Sequence, residues 1–418
     1  MTGRASRISV LTEYFHPEEA STAQLMTELT TGLTDRFDVS VVTARPNYHD
    51  ADREQSAPAS ETVDGVDVSR VRSTRFDKDS LPRRVVNWIT FTVLVTVHLL
   101  RHHRDDDAIL TLSNPPILPL AAWFHKRITG TPYAYLVYDM YPDMAVELGY
   151  ISADGPIARI WGWVMRRVYR DADRIVVLGE SMRDRLETKM ADGEQFDPDK
   201  IVVIPNWEDE TFIEPKAKAD NEFANEQDTT DTFTLVYSGN VGRFHDVETA
   251  IDAIGLLEER GRSDVQLLVI GEGARKDELE SYVEREGIEN VRFLPFQPLD
   301  RLPETLTCGD ASLVGIKPGM VGMCVSSKLY SSLAAGMPVL AVVGEGDEVA
   351  RVVENSECGR HVEPGKAGEV ADVLATWADD PDIVATLGEN ARDELERRYT
   401  LDQAVAAYAE LFEEFDTV

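Results

Sequence analysis

The chain has 418 residues, 43% of them apolar, which supplies two ordinary cores and excludes wholesale disorder. Its formal net charge of −33 repels phosphate backbones and argues against nucleic-acid binding. Cys308, Cys324 and Cys358 have no paired spacing, so neither a disulfide framework nor a zinc signature follows, as suits a reducing cytoplasm. The acidic residues are spread along the chain. They read either as a solubilising surface or as the carboxylate excess of a salt-loving organism, and neither reading bears on the fold.

Residues 1–7 lack an apolar signal core and run into a predicted strand, Ile8–Thr12. A helical pattern through Leu25, Leu29 and Leu33 follows, then a strand at Val39–Thr43. Further strands are predicted at Ile109–Leu112, Tyr133–Tyr138, Ile175–Leu178 and Ile201–Ile204, with helical patterns between most of them. A polar, acidic stretch from Glu208 to Asp231 reads as a linker. Alternation then resumes with a strand at Phe233–Tyr237, a helix at Val247–Leu257 and a strand at Val265–Ile270. Strands at Val291–Leu294, Ala311–Val314 and Val339–Val343 follow, and two helices close the pattern at Pro381–Tyr399 and Leu401–Phe415. The layout predicts an α/β protein of two Rossmann-like domains, 1–207 and 232–395, joined by 208–231. A last helical segment, 396–418, is expected to pack back on the first domain. Ligands in such sheets sit at the carboxyl ends of strands.

Two segments read as lipid-facing. Val85–Leu100 is almost wholly apolar, with Arg83 and Arg84 before it and Arg101 after. It falls short of the roughly 18–20 apolar residues of a spanning helix. Ile157–Arg170 mixes Trp161, Trp163 and Tyr169 with Arg159, Arg166, Arg167 and Arg170. Cations clustered with aromatics suit an interfacial helix on anionic lipid, and a buried helix and a snorkelling face are the plainer readings.

The run Val236-Tyr237-Ser238-Gly239-Asn240-Val241-Gly242-Arg243-Phe244-His245-Asp246 leads from a strand through a glycine loop into a helix. Gly239, Asn240 and Gly242 let backbone amides approach a phosphate, and Arg243 can pair with a diphosphate oxygen. An ordinary strand–helix turn would look the same. The spacing is not G-x-G-x-x-G, which counts against a dinucleotide oxidoreductase. Gly271 in Ile270-Gly271-Glu272-Gly273 ends the next strand. Phe296 in Leu294-Pro295-Phe296-Gln297-Pro298 offers an aromatic face to a base. Ser326, Ser327 and Lys328 present hydroxyls, amides and a cation at a helix start, a second anion site unless Ser326 merely caps the helix. Glu345 or Glu348 can accept bonds from ribose hydroxyls.

In the first half, His16, Pro17 and Ser21 follow the first strand and open a helix. Asp139, at a strand end, is placed to orient an acceptor hydroxyl or take its proton, or else to cap a helix. Arg45-Pro46-Asn47-Tyr48-His49 ends the second strand, and His49 is a possible proton carrier or a surface histidine.

Tyr14–Pro17, Asn114-Pro115-Pro116, Tyr138–Asp143, Leu178–Met182, Ile204–Trp207, Tyr237–Asp246, Gly271–Gly273 and Ser326–Ala341 occur in an order and spacing that cover nearly the full length. Together they resemble the family 4 retaining glycosyltransferases of GT-B fold, nearest the branch that builds O-antigen, colanic acid and similar surface glycans. The resemblance implies two Rossmann-like domains facing across a cleft, with no metal or other cofactor; no D-x-D acidic cluster stands at a plausible site. It implies transfer of a sugar from a UDP- or GDP-sugar to a lipid-linked or surface-glycan acceptor, with retention, by an enzyme peripheral on the cytoplasmic membrane face. Arg243, Lys328 and Asp139 are the expected catalytic residues. The loop holding His16, Pro17 and Ser21, with His49, is the expected acceptor side. The wider family has two glutamates eight positions apart. The matching positions here are Met323 and Ser331, so the ribose role moves to Glu345 or Glu348. A sugar-nucleotide epimerase of similar fold and a non-catalytic nucleotide-sugar-binding protein are the competing readings.

Overall fold

The computed structural model describes residues 6–18, 20–46, 57–76, 81–191 and 196–415. The chain divides into two compact units, one running to Pro205 and resuming at Leu401, the other spanning Asn206–Thr400. Each is an α/β unit around one sheet.

The first sheet contains β1 (Arg7–Leu11), β2 (Asp38–Ala44), β3 (Ser60–Val63), β4 (Val66–Val71), β5 (Ala108–Leu112), β6 (Tyr133–Val137), β7 (Arg174–Val177) and β8 (Ile201–Val203), in the order β3-β4-β2-β1-β5-β6-β7-β8. All pairs are parallel except β3–β4, a hairpin turning at Asp64 and Gly65, which both have positive φ. β1 pairs with β2 on one side and β5 on the other, Val10 facing Val41 and Leu110. The chain therefore builds outward in one direction from β1, then in the other, leaving a switch between β1 and β5. Strands β5 and β6 are buried throughout, as parallel strands covered by helices on both faces must be. The Leu401–Glu413 helix completes this unit. It packs on the Ser21–Leu33 helix, with Phe37 and Phe412 edge to face at 5.9 Å.

The second sheet contains β9 (Phe233–Ser238), β10 (Val265–Ile270), β11 (Val291–Leu294), β12 (Ala311–Gly315), β13 (Val339–Val342) and β14 (Gly359–Val362), all parallel, in the order β11-β10-β9-β12-β13-β14. Its switch lies between β9 and β12. Leu235, Tyr237, Leu267, Val269 and Leu313 form the core with the Glu248–Glu259 and Ala367–Asp379 helices.

The polar stretch 208–231 is not a bare connection but part of this second unit. Phe223 and Ala224 are buried, Lys218 pairs with Asp310 at 2.6 Å, and the Asn221 amide donates to the Glu304 carbonyl at 2.8 Å. The Arg392 guanidinium donates to the carbonyls of Glu210, Ile213 and Ala334. A few buried anchors suffice to order a segment whose average composition reads as loop.

Three neighbouring helices of the first unit carry apolar side chains outward. The Leu81–His102 helix buries one row, Asn87, Phe91, Val95 and Leu99, at four-residue spacing, and exposes Val86, Ile89 and Val93. The Pro119–Thr129 helix packs on it and exposes Phe124 and Ile128. The Pro156–Asp171 helix packs next and exposes Ile157, Ile160 and Trp163, with Arg167 stacked 4.0 Å over Trp163. The portion Pro82–His102 has the length and composition of a membrane-crossing helix, a correction to the shorter, purely apolar count of 85–100. No other described helix does.

Candidate active site

The carboxyl ends of β9, β10 and β12 converge at the switch of the second sheet. The loops after β9 and β10 interlock: Gly239 N–H donates to the Ile270 carbonyl at 2.9 Å and Val241 N–H to the Glu272 carbonyl at 2.8 Å. Gly239, Gly271 and Gly273 all have positive φ. A Cβ on Gly271 would lie 2.0 Å from the Gly239 carbonyl oxygen, and one on Gly273 2.4 Å from that of Val241. The glycine at Gly271 is thus explained by the neighbouring loop alone. From the other side, Lys317 N–H donates to the Phe244 carbonyl at 2.8 Å, tying the end of β12 to the same loop.

His245 fixes this loop from within. It is buried, and its Nδ1 accepts the Gly242 N–H at 3.0 Å and lies 2.9 Å from the Tyr237 hydroxyl, which donates to the Asn240 carbonyl at 2.7 Å. An Nδ1 that accepts an amide proton is unprotonated, so the ring is neutral. Burial, with Lys328 nearby, holds its pKa well below the ordinary histidine value. Arg275 braces the loop further, pairing with Glu248 and Glu278 and donating to the His245 carbonyl. Neither role was legible in the sequence, because both depend on a fold contact that no spacing announces.

Lys328 begins the Lys328–Ala334 helix and brings its ammonium to this loop. Its Nζ lies 5.1 Å from the Tyr237 ring centre, and a Cβ on Gly239 would come within 3.4 Å of it. Burial lowers its pKa to about 8. Arg243 is exposed on the same loop, with no ion-pair or hydrogen-bond partner among the described residues. The structure therefore brings Gly239, Asn240, Gly242, Gly271 and Lys328 together, with Arg243 alongside. Ser326 is buried and Ser327 exposed just before Lys328, and Ser327 makes no side-chain cap. Phe296 is 54% exposed on the loop after β11, whose Leu294 carbonyl accepts from Gly271 N–H.

Glu345 is exposed and Glu348 opens the Glu348–Asn355 helix. The buried carboxylate of that turn is Asp347, which the sequence reading passed over. One oxygen accepts from Val349 N–H at 2.9 Å, the other is buried without a partner among the described residues, and burial raises the pKa to about 6. At the position of the wider family's second glutamate, the Ser331 hydroxyl donates to Glu208 at 2.6 Å.

In the first unit, Asp139 follows β6. Its N–H and that of Tyr138 both donate to the Ser113 hydroxyl, at 3.1 and 3.0 Å, so its backbone is pinned to the end of β5. Burial raises its pKa to about 6. His16 is exposed and Pro17 half-buried; the His16 carbonyl accepts from Arg70 at 2.6 Å. Ser21 is the exposed first residue of its helix, which has no side-chain cap. His49 lies outside the described residues.

Residues 22–207 match the glycosyl transferase 4-like domain, and residues 218–394 match glycosyl transferases group 1. The chain belongs to this glycosyltransferase family. It is an enzyme of glycosyl transfer, and the epimerase and non-catalytic readings give way. The chain is 28% identical to the probable glycosyltransferase WbjE of Pseudomonas aeruginosa, over 74% of this chain and 75% of that one. It is 27% identical to the putative colanic acid biosynthesis glycosyl transferase WcaI of Escherichia coli, over 50% and 51%. Among solved structures it resembles sucrose-phosphate synthase from Thermosynechococcus elongatus, with a TM-score of 0.77, 15% identity and 99% coverage of both chains. It also resembles Anabaena HepE in complex with UDP and glucose, with a TM-score of 0.73, 16% identity and coverage of 98% and 100%. These likenesses show the fold, GT-B with two Rossmann-like domains.

Proposed function

We propose that this glycosyltransferase moves a hexose-type sugar from a UDP- or GDP-sugar to a hydroxyl of a lipid-linked glycan, with retention of anomeric configuration. The observation that carries the donor half is the pair of cations at the switch of the second sheet, Lys328 seated against the Gly239 loop and Arg243 exposed beside it. As the glycosidic bond to the donor breaks, negative charge builds on the leaving diphosphate. A preorganised cation and backbone amides stabilise that charge most where it develops. Ser326 and Ser327 supply amides and hydroxyls at the same helix start, Phe296 an aromatic face for the base, and Glu345 or Glu348 an acceptor for ribose hydroxyls. HepE, crystallised with UDP and glucose, supports a nucleotide-sugar donor.

Asp139, its pKa raised to about 6 by burial, takes or orients the proton of the acceptor hydroxyl, and His16, Pro17 and Ser21 serve the acceptor side. The lipid half of the proposal rests on the three outward-facing helices. Their exposed aliphatic residues and Trp163, flanked by Arg127, Arg159, Arg166 and Arg167, have the chemistry of an interfacial surface on anionic lipid. The Leu81–His102 helix lies in that interface instead of spanning, because Phe91, Val95 and Leu99 belong to the core. The enzyme is then peripheral, on the cytoplasmic face where its donor is made. The surface-glycan naming of WcaI agrees.

The decisive experiment measures UDP- and GDP-sugar transfer and donor hydrolysis for Arg243→Ala and Lys328→Ala. Loss of about 10²–10³ in rate is expected from removing one such group. Unchanged rates in both variants would remove the donor-site assignment.

A further inference from the structure

A cavity of about 250 Å³ opens at the switch point of the first sheet, and no role assigned above uses it. Its walls come from the loops after β1 (Glu13, Tyr14, Glu18), β2 (Arg45), β4 (Ser73, Thr74, Arg75) and β5 (Asn114), and from the first turns of the Leu81–His102 helix (Arg84, Asn87, Trp88). In open α/β sheets this is where a ligand sits.

Its chemistry is cationic within a strongly acidic protein. Three guanidinia, of Arg45, Arg75 and Arg84, line it against two carboxylates, of Glu13 and Glu18. The Arg45 Nε is buried with no hydrogen-bond partner among the described residues. The Arg75 guanidinium is held below its ordinary pKa by burial and by the like charge of Arg45, only partly offset by Glu18. Like charges gathered around a cavity, with a buried donor unmet, are stabilised by an anion with several oxygens.

The cavity is also built into the apolar helix. Asn87 is buried; its Oδ1 accepts from Phe76 N–H at 3.0 Å and from the Thr74 hydroxyl at 2.9 Å, and its Nδ2 donates to the Phe76 carbonyl at 2.9 Å. Thr74 N–H donates to the Thr90 hydroxyl at 3.2 Å. The loop bearing Arg75 is therefore fastened to the helix that exposes Val86, Ile89 and Val93. Arg84 stacks 5.3 Å over Trp88 at the cavity wall. An anionic seat and an apolar strip share one element.

We propose that this cavity seats the phosphate or diphosphate through which the acceptor glycan is joined to its lipid, with the lipid chain leaving along the exposed side of the Leu81–His102 helix. This rests on the lipid-linked acceptor reading and specifies its headgroup: Arg45 and Arg75 fork the phosphate oxygens, Arg84 adds charge, and Trp88 and the aliphatic row hold the first chain carbons.

The test is isothermal titration of the full chain, with UDP saturating so that the donor site is filled, using farnesyl diphosphate, farnesol and inorganic diphosphate as probes. Wild-type protein should bind farnesyl diphosphate at least about tenfold more tightly than either other probe, since two charge-assisted forks and a buried chain each contribute more than a factor of ten. The variant Arg45→Gln/Arg75→Gln should lose that preference, and Arg75→Gln alone, at the exposed rim, should lose part of it. An unchanged UDP-induced thermal shift in each variant shows that the fold persists. Equal affinity of wild type and double variant for farnesyl diphosphate would overturn the proposal, as would farnesol binding as tightly as farnesyl diphosphate. Equal binding of inorganic and farnesyl diphosphate, abolished in the double variant, would keep an anion seat and overturn its lipid-linked occupant. Failure of the membrane reading is scored separately, by vesicle binding.

Discussion

The Lys328 ammonium lies 5.1 Å from the centre of the Tyr237 ring and against the backbone of Gly239, so the start of one helix and the end of one strand meet at a single charge. With its pKa lowered to about 8, the cation is present below that pH and lost as pH rises through it. UDP affinity should therefore be flat near neutrality and fall about tenfold per pH unit above about 8, one proton being taken up with each nucleotide. Titrations of wild type and Lys328→Gln from roughly pH 6.5 to 9.5, a range that brackets this transition, check it. The variant should bind weakly and without pH dependence, and an equally steep profile in both would exclude Lys328.

Asp139 gives the opposite limb. Burial raises its pKa from 3.8 to about 6, so its base form is present above that pH and lost as pH falls through it. The acceptor-dependent rate should drop about tenfold per unit below about pH 6. Asp139→Asn should lower the rate by about 10²–10⁴ and abolish that limb. A carboxyl whose folded pKa is raised costs stability as pH rises through that window, and the cost is complete above about pH 6. The variant should therefore melt no lower than wild type at neutral pH, and a lower melting temperature would mean that Asp139 is structural.

Gly271→Ala tests the interlocked loops. The added methyl group meets the Gly239 carbonyl in a backbone region that L-residues rarely adopt. Urea unfolding should show a loss of about 1–3 kcal/mol or more, with UDP binding weakened in parallel. Gly261→Ala shares a positive φ but meets nothing within 4 Å, so it should cost less. Equal losses would show that strain in the backbone, not the loop contact, sets the requirement at Gly271.

Flotation with vesicles tests the outward-facing helices. Ile160→Asp/Trp163→Asp changes exposed side chains, so folding should persist while binding to anionic vesicles falls by at least about tenfold. Wild-type binding should weaken with salt, because each arginine near an anionic surface contributes about 1 kcal/mol that screening removes. Equal binding of wild type and variant would place the membrane contact elsewhere.

The parallel strands were legible because a strand buried on both faces must be apolar throughout. Ile8–Thr12, Val39–Thr43 and Val265–Ile270 fall within a residue or so of β1, β2 and β10. β3, β4 and β14 were missed for the complementary reason, β4 because Asp67, Ser69 and Arg70 interrupt its valines. Ser60–Val63 is a polar edge strand whose Asp64-Gly65 turn was the better signal, and Gly359–Val362 holds two polar residues in four. Of the candidate site, the glycine loop and Lys328 were legible as local patterns, a strand running into glycines and a cation at a helix start, which an ordinary turn shares. His245 and Asp347 were not, because what distinguishes them is a neutral ring between an amide and a hydroxyl, and a carboxylate oxygen with no partner among the described residues. Arg45 and Arg75 lie apart in sequence, and only the parallel order of β2 and β4 sets them at one cavity.

The return of the Leu401–Glu413 helix to the first unit has a consequence for biosynthesis. Tyr408, Leu411 and Phe412 bury themselves there, and Val405 packs against Gly32. The ribosome therefore completes the second unit while the first still lacks its closing helix and exposes the apolar surface around Phe37. During that interval, the half made earliest is the half most in need of a chaperone.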